Sequence, residues 1–263
     1  MKILLSNDDG VTSIGMAALA DGLRDAYELC IAAPDRERSA VSRAMTLFNP
    51  LHATRVVVPT APEVPAYSID GTPVDCVRLA LGNLFSGVDM VVSGINHGPN
   101  LGTDVLYSGT VAAAHEAALL GLQAVAISIF AHMHQPKHLE TAAHFARLAV
   151  EHLRRNPLPY GMLLNVNVPD CPLSEVKGVR TVPACIEEYV LPFVEERLPD
   201  GTLAYHPPRG KLTQVSGQDV DERWCAEGYA VLTPLTYDLT AFSRMEGVAS
   251  DPIWNGGNAG WIR

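Results

Sequence analysis

Cysteine is scarce in this 263-residue chain and scattered along it. The five cysteines (Cys30, Cys76, Cys171, Cys185, Cys225) are odd in number and form no C-x-x-C pair. Such a set argues against a disulfide framework and against a thiolate zinc site, and it fits a reducing, cytoplasmic setting. Basic residues are also in short supply. Nineteen Lys and Arg face 29 Asp and Glu, for a net charge of −10. A nucleic-acid polymer needs a basic footprint, so no such partner is expected. A single nucleotide is a different matter, because a local cation and a few backbone amides suffice to hold its phosphate. No apolar run reaches membrane length. The most apolar region, residues 111–131, is interrupted by His115, Glu116, Gln123 and Ser128, so no membrane partner is expected. Met1-Lys2-Ile3-Leu4-Leu5 is too short for the apolar part of a signal peptide. Internal repeats and low-complexity segments are lacking. What the chain does have is 48% hydrophobic residues, enough for one large domain or a domain with a smaller appendage.

The chain opens with a β-α-β rhythm. Residues 2–6 predict a first strand. Residues 14–26 carry apolar positions at helical spacing (Ile14, Ala17, Ala18, Leu19, Leu23, Ala26). Residues 29–33 predict a short buried strand stopped by Pro34. A βαβ unit this compact implies parallel strands and a right-handed crossover. Residues 51–58 and 66–69 predict a hairpin-like insertion. Thr72 suits a helix N-cap, Pro73 the first helical position and Asp75 the first turn, for a helix running to about residue 84. Strands follow at 89–93, 125–129 and 163–168, with helices at 111–120 and 138–154. After Cys171 the rhythm stops. Residues 187–205 suggest a projecting arm or hairpin, 219–227 a short helix, 229–233 a strand and 250–263 a tail. An arm and tail without a core of their own favour a homo-oligomer.

Three loops leave strand carboxyl ends and should meet at one sheet edge, where open α/β sheets bind ligands. They bring Asp8 and Asp9, Ser39, and Asn96. All four offer oxygen, the donor set suited to Mg²⁺ or Mn²⁺, and a divalent cation would relieve the repulsion of adjacent carboxylates. Each has a structural alternative: Asp8-Asp9-Gly10 as a turn, Ser39 as a loop cap, Asn96 as a left-handed turn residue. The helix start at Ser108, Gly109 and Thr110 is a candidate phosphate site, through free backbone amides and the helix dipole, or else an ordinary capped helix. The run 94–102 matches neither a G-x-G-x-x-G fingerprint nor a G-x-x-x-x-G-K-[ST] loop, so neither a dinucleotide nor an NTPase site is indicated. Arg36 and Arg38 could contact phosphate or simply pair with Asp35 and Glu37. His97 and His115 are acid/base candidates, with His115, inside a helix, more in keeping with packing. Asp104 is polar enough to border the site. Ser108 lacks a G-x-S-x-G frame, which weakens a serine-hydrolase reading.

These pieces together resemble a known family. Asn7-Asp8-Asp9-Gly10, Ala33-Pro34-Asp35-Arg36 with Ser39, Gly71-Thr72-Pro73 with Asp75-Cys76-Val77, Ser93-Gly94-Ile95-Asn96 with Gly98, Asn100 and Gly102, and Tyr107-Ser108-Gly109-Thr110-Val111 are similar to the survival protein SurE family. Leu164-Asn165-Val166-Asn167, Thr233-Pro234-Leu235 and Asp238-Leu239-Thr240 resemble later landmarks of it. The chain departs from the pattern at Ala40 and Ala117, where glycine is expected, and over residues 216–224. The resemblance implies a Rossmann-like, doubly wound, mostly parallel α/β sheet with helices on both faces. It places a catalytic domain at residues 1–175, and at 176–263 a C-terminal arm and oligomerisation region, packing back on the core and exchanged between subunits. It implies a metal-dependent 5′/3′-nucleotidase that hydrolyses nucleoside monophosphates, with short polyphosphate as a further substrate of some members. One Mg²⁺ or Mn²⁺ per subunit would be held by Asp8, Asp9, Ser39 and Asn96, with Asp8 and Asp9 catalytic and Asn96, Ser108, Gly109 and Thr110 at the phosphate. A cytoplasmic homodimer or homotetramer is implied. Two rival expectations stand beside it. One is a nucleotide-binding regulatory protein without turnover. The other is an aspartyl-phosphate phosphatase, which normally wants Asp-x-Asp after the first strand.

Overall fold

The structure is a computed structural model that describes residues 1–131, 135–189, 193–206, 211–214 and 218–250. Lys2–Ser6 (β1), Ile14–Leu23 (α1) and Glu28–Pro34 (β2) form the first βαβ unit. Ala53–Val56 (β3) and Ala66–Ile69 (β4) follow, then Pro73–Leu79 (α2), Met90–Asn96 (β5), Gly109–Leu119 (α3), Gln123–Phe130 (β6), Leu139–Arg155 (α4) and Met162–Pro169 (β7). The later chain adds Val179–Thr181 (β8), Glu187–Tyr189 (β9), Val194–Arg197 (β10), Leu203–His206 (β11), Lys211–Gln214 (β12), Asp221–Ala226 (α5), Ala230–Thr236 (β13) and Phe242–Ala249 (α6).

A nine-stranded sheet runs in the order β3-β4-β2-β1-β5-β6-β7-β13-β8. From β4 to β7 every neighbouring pair is parallel. The chain winds from β1 to β2 on one side and resumes at β5 on the other. That reversal opens a crevice at the carboxyl ends of β1 and β5. Helices cover both faces, so the inner strands are buried on both sides and carry unbroken apolar runs. β1 shows the division: Ile3 and Leu5 pack in the layer of α1 and α4, and Leu4 packs in the layer of α2 and α3. The expected doubly wound α/β sheet is therefore the observed one.

Several boundaries differ from expectation for local reasons. α1 ends at Leu23, and Ile14 is exposed, because Ser13 caps the helix and Gly15, Met16, Leu19, Ala20 and Leu23 form the inward face. β5 continues to Asn96, which pairs with Ser128 of β6 after a shift in register. The helix at 73–84 is α-helical only to Leu79. Residues Ala80–Leu84 widen into a π turn, with the Phe85 amide donating to Ala80 O at 2.9 Å. Its start is as expected: Thr72 and Asp75 cap each other reciprocally, an arrangement worth about 1 kcal/mol.

The C-terminal region is not separate from the sheet. β13 pairs antiparallel with β7, and β8 lies beyond it at the edge. In the stretch expected to be an arm, β10 pairs with β11 and β9 with β12, both antiparallel. Residues 190–192 of that stretch, 216–217 of the divergent segment and 251–263 of the expected tail lie outside the described residues. Among the described residues, no helix is long and apolar enough to cross a membrane.

Candidate functional site

The loop after β1 is held by its own polar residues. Asn7 Nδ2 donates to Gly10 O at 3.0 Å and to Ser13 Oγ at 2.8 Å, and Asn7 Oδ1 accepts from the Gly10 amide at 3.1 Å. Gly10 has φ +100°, and a Cβ there would lie 3.2 Å from the Arg36 backbone, so only glycine fits this turn comfortably. The loop after β2 is pinned to it. The Arg38 amide donates to Asp8 O at 2.7 Å and the Val11 amide to Pro34 O at 2.9 Å. This brings Ser39 to the same sheet edge as Asp8 and Asp9. Asn96, at the end of β5, completes the set.

These four side chains and Ser108 border one cleft of about 470 Å³. Asp8 is 5% exposed. Its Oδ2 accepts from the Thr110 amide at 3.1 Å and its Oδ1 accepts from the Thr110 hydroxyl. Burial pushes the Asp8 carboxyl up to about 6, the Thr110 hydroxyl draws it back, and the Asp9 charge adds to the rise. Asp9 Oδ1 lies 3.9 Å from His97 Nδ1. His97 Nε2 in turn accepts from the Gly15 amide at 3.1 Å. A neutral imidazole that accepts at Nε2 carries its proton on Nδ1, the nitrogen that faces Asp9. Asn96 Nδ2 donates to Gly98 O at 2.8 Å, which leaves Oδ1 turned toward Thr110, 3.5 Å from its hydroxyl. Ser39 Oγ donates to Glu37 Oε1 at 2.7 Å.

The helix start at α3 divides its labour. Ser108 lines the cleft and caps the helix, accepting from the Val111 amide at 3.0 Å. Thr110 is fully buried, and its amide and hydroxyl are both spent on Asp8. Gly109 sits against the same carboxylate: a Cβ would come within 2.8 Å of Asp8 Cβ and 3.1 Å of Pro73 Cγ. The positive end of the α3 dipole therefore faces Asp8 directly.

Other candidates fall as the residue types suggested. Arg38 pairs with Asp35 at 3.4 Å and donates to Asp70 O at 3.0 Å, and Arg36 approaches Asp35 at 3.7 Å. His97 and Asp104 border the cleft. His115 does not. It is buried in α3 beside Arg43 and the Tyr237 ring, and burial, with the nearby Arg43 charge, lowers its pKa to about 4.

The sequence reading missed the supports of the loop that carries Asn96 and His97. Asn167 and Asn165 of β7 and Ser128 of β6 all bond Asn100, and Asp221 of α5 accepts from the Gly102 amide at 2.9 Å. Asn165 and Asn167 did carry a signal: two amides on one face of an apolar strand. Asp221 carried none, since its partners lie far away in sequence.

The donor set suits a hard cation. Two carboxylates, an oriented amide oxygen and a hydroxyl supply oxygen only, and the rise in the Asp8 carboxyl is the strain that a nearby cation would relieve. Among the described residues no group of three or more His, Cys, Asp or Glu side chains gathers as a metal cluster. A site here would thus depend on Ser39 and Asn96 beside the two aspartates.

Residues 3–190 match the model of a family described as survival protein SurE. The chain is 44% identical over 251 residues to the 5′-nucleotidase SurE of Vibrio cholerae serotype O1, covering 94% of this chain and 96% of that one. It is 43% identical over 259 residues to the 5′-nucleotidase SurE of Stenotrophomonas maltophilia, covering 98% and 96%. Its fold is similar to the crystal structure of the SurE protein from Aquifex aeolicus, with a TM-score of 0.81, 31% identity, and 94% and 98% of the two chains covered.

Proposed function

The chain belongs to the survival protein SurE family, and from that premise we propose that it is a metal-dependent phosphomonoesterase that hydrolyses nucleoside monophosphates at the 5′ or 3′ position, with short polyphosphate as a secondary substrate. The observation that carries the proposal is the meeting of Asp8, Asp9, Ser39 and Asn96 on one cleft at the sheet's switch point. Relatives at 43–44% identity that bear the name 5′-nucleotidase support it.

In this reading Asp8, Asp9, Ser39 and Asn96 hold one Mg²⁺ or Mn²⁺. When bound, the cation supplies charge neutralisation for the phosphoryl group and lowers the pKa of water. The chain's own residues do the rest. Thr110 keeps Asp8 from turning by bonding both of its oxygens. His97 turns Nδ1–H toward Asp9. Asp9, on the cleft wall, is placed to take a proton from water. Ser108 and the amide of Gly109 are the parts of the α3 start left to face a phosphate, since Thr110 is already committed to Asp8. Donors fixed before the substrate arrives cost no reorganisation as charge develops. The engagement of both Asp8 oxygens also disfavours Asp8 as a covalent nucleophile.

The protein acts in the cytoplasm as a homodimer or homotetramer in this reading. Support comes from α6 and the turn before it, where Leu239, Phe242, Met245 and Val248 all expose apolar side chains that a second copy of the C-terminal region would cover.

The test is phosphate release from 5′- and 3′-nucleoside monophosphates and tripolyphosphate, with Mn²⁺, with Mg²⁺ and with EDTA. Hydrolysis that needs a divalent ion and vanishes in EDTA is expected. Tight nucleotide binding without phosphate release in any metal would turn the protein into a binding module. A phosphorylated aspartate trapped during turnover would replace the proposed chemistry with a covalent one.

A further inference from the structure

Beneath the cleft lies a polar cluster that the reading above leaves without a task. Asn165 and Asn167 are each 1% exposed, and they project from β7 on the side where Leu163 packs with the α2 and α3 layer. Leucine or valine would be the ordinary choice there. Instead, Asn167 pairs its carboxamide with the backbone of Asn100. Its Oδ1 accepts from the Asn100 amide at 2.8 Å, and its Nδ2 donates to the Asn100 carbonyl at 3.0 Å. Asn165 Nδ2 donates to the same carbonyl at 2.9 Å. Asn100 Nδ2 donates to Ser128 Oγ at 2.7 Å. A buried loop peptide must find partners, and here side chains replace a neighbouring strand. Asn165 Oδ1 is buried and has no hydrogen-bond partner, so the residue is kept for its donor at a cost to stability.

Asn100 belongs to the short span that begins at Asn96. Gly98, two residues before it, offers the carbonyl that orients the Asn96 carboxamide. At the far end, the Gly102 amide is held by Asp221. The span is therefore fixed at its start by the pairing of Asn96 with Ser128 of β6, at its middle by β7 and at its end by α5.

We infer that Asn167, assisted by Asn165, is a positioning residue: by gripping the Asn100 peptide it sets the Gly98 carbonyl, and through it aims Asn96 Oδ1 into the metal site. The inference rests on the reading of Asn96 as a metal ligand. It assigns the N-V-N stretch of β7 a role in metal affinity beyond its role in the sheet.

The experiment is a Mn²⁺ titration of the full chain, read by the electron paramagnetic resonance signal of free Mn²⁺. Half-saturating Mn²⁺ for phosphate release is measured in parallel. Asn167→Leu removes both bonds to Asn100. Asn167→Ser, smaller and still polar, serves if the leucine variant does not fold. Val166→Ala, on the opposite face of β7 in the α1 and α4 layer, destabilises the strand without touching the loop. The Asn167 variants are expected to weaken Mn²⁺ binding and raise the half-saturating concentration by about tenfold. Their kcat should return near wild type at saturating metal, and Val166→Ala should shift neither quantity. A folded Asn167→Ser protein with wild-type Mn²⁺ affinity would overturn the inference. So would an equal shift in Val166→Ala, which would make the effect one of stability alone. Wild-type protein that takes up no Mn²⁺, or an Asn96→Ala protein that binds it as tightly as wild type, would remove the metal-ligand reading and the inference with it.

Discussion

Two cavities of similar size lie at opposite edges of the sheet. The cleft at the carboxyl ends of β1 and β5 has about 470 Å³, and a cavity walled by Arg78, Leu81, Phe85 and Leu120 has about 510 Å³. α3 spans from one to the other, with its N-cap Ser108 on the cleft and Leu120, just past its end, on the second cavity. α2 and α3 bring their N-termini together near Asp8, where Pro73 and Gly109 nearly touch. Arg78 near the end of α2, Leu81 just beyond it and Leu120 just past α3 line the other cavity. Volume does not separate them, and the second is slightly larger. Polarity of the backbone does. Parallel strands and the helices that follow them direct free amides and positive dipole ends to one edge, so oxygen ligands and anions gather there. The opposite edge receives the leftover apolar surface. The comparison teaches that direction of the chain, rather than volume of a cavity, sets which one is lined by oxygen donors.

The strongest way to break this comparison is to disable one cavity at a time. Asp8→Asn and Asp9→Asn should each lower phosphate release on the order of a thousandfold. Leu81→Ala at the other cavity should leave kcat/KM within about twofold of wild type. The Asp8 variant should not be less stable than wild type in EDTA, because burial already disfavours its charge. Steady-state kinetics and thermal melts check all three. Comparable activity losses at both cavities would end the distinction.

Much of the cleft could be seen before the fold was known, and the reason is topological. A strand, helix and strand in close succession fix which ends of the strands coincide, so Asp8, Asp9, Ser39 and Asn96 could be placed at one edge from their loops alone. What stayed hidden was long-range hydrogen bonding. No local pattern announces that Thr110 spends its hydroxyl on Asp8, 102 residues away, or that Asp221 holds Gly102 across 119 residues. Ile14 misled because it fits helical spacing but lies on the face that the Gly15 contact with Ile95 turns outward.

The middle of α3 sharpens the comparison through pH. His115 lies between the two cavities, with its pKa lowered to about 4 by burial and by Arg43. In the unfolded chain it titrates near its ordinary value of 6.5. Above that value the group is neutral in both states and costs nothing. As pH falls from 6.5 toward 4 the unfolded chain takes the proton first, so stability is lost, on the order of 3 kcal/mol in all. His115→Gln should flatten that slope. Denaturant melts of both proteins at pH 7, 5.5 and 4.5 give the difference directly, and Asp8, which shifts in the opposite sense, cancels between them. Identical slopes would mean that His115 is not held neutral by its surroundings.

A smaller effect is expected where α3 meets Asp8. Gly109→Ala places a methyl 2.8 Å from Asp8 Cβ and 3.1 Å from Pro73 Cγ. Forcing those helix starts apart should cost about 1–3 kcal/mol, together with a loss of activity, because the displaced atom belongs to Asp8. A variant with unchanged melting and unchanged kcat would show that the cleft edge yields more easily than its contacts suggest.

The smallest effect is expected at the opposite edge. Gly82 lies in the π turn and lines the apolar cavity, and a Cβ there would meet no atom within 4 Å. Its φ lies outside the left-handed region where glycine is favoured. Gly82→Ala therefore adds no clash and removes freedom only from the unfolded chain, a gain of about 0.5–1 kcal/mol. For a chain of this length that is a rise of roughly 1–2 °C in Tm. Gly82 lies on the cavity wall, so the variant also tests whether that wall is needed. If the cavity has no part in turnover, kcat and KM stay at wild-type values while Tm rises. A fall in kcat without a fall in Tm would mean that α2 and α3 transmit the state of one cavity to the other. The two edges would then be parts of one working unit rather than contrasting ends of the sheet.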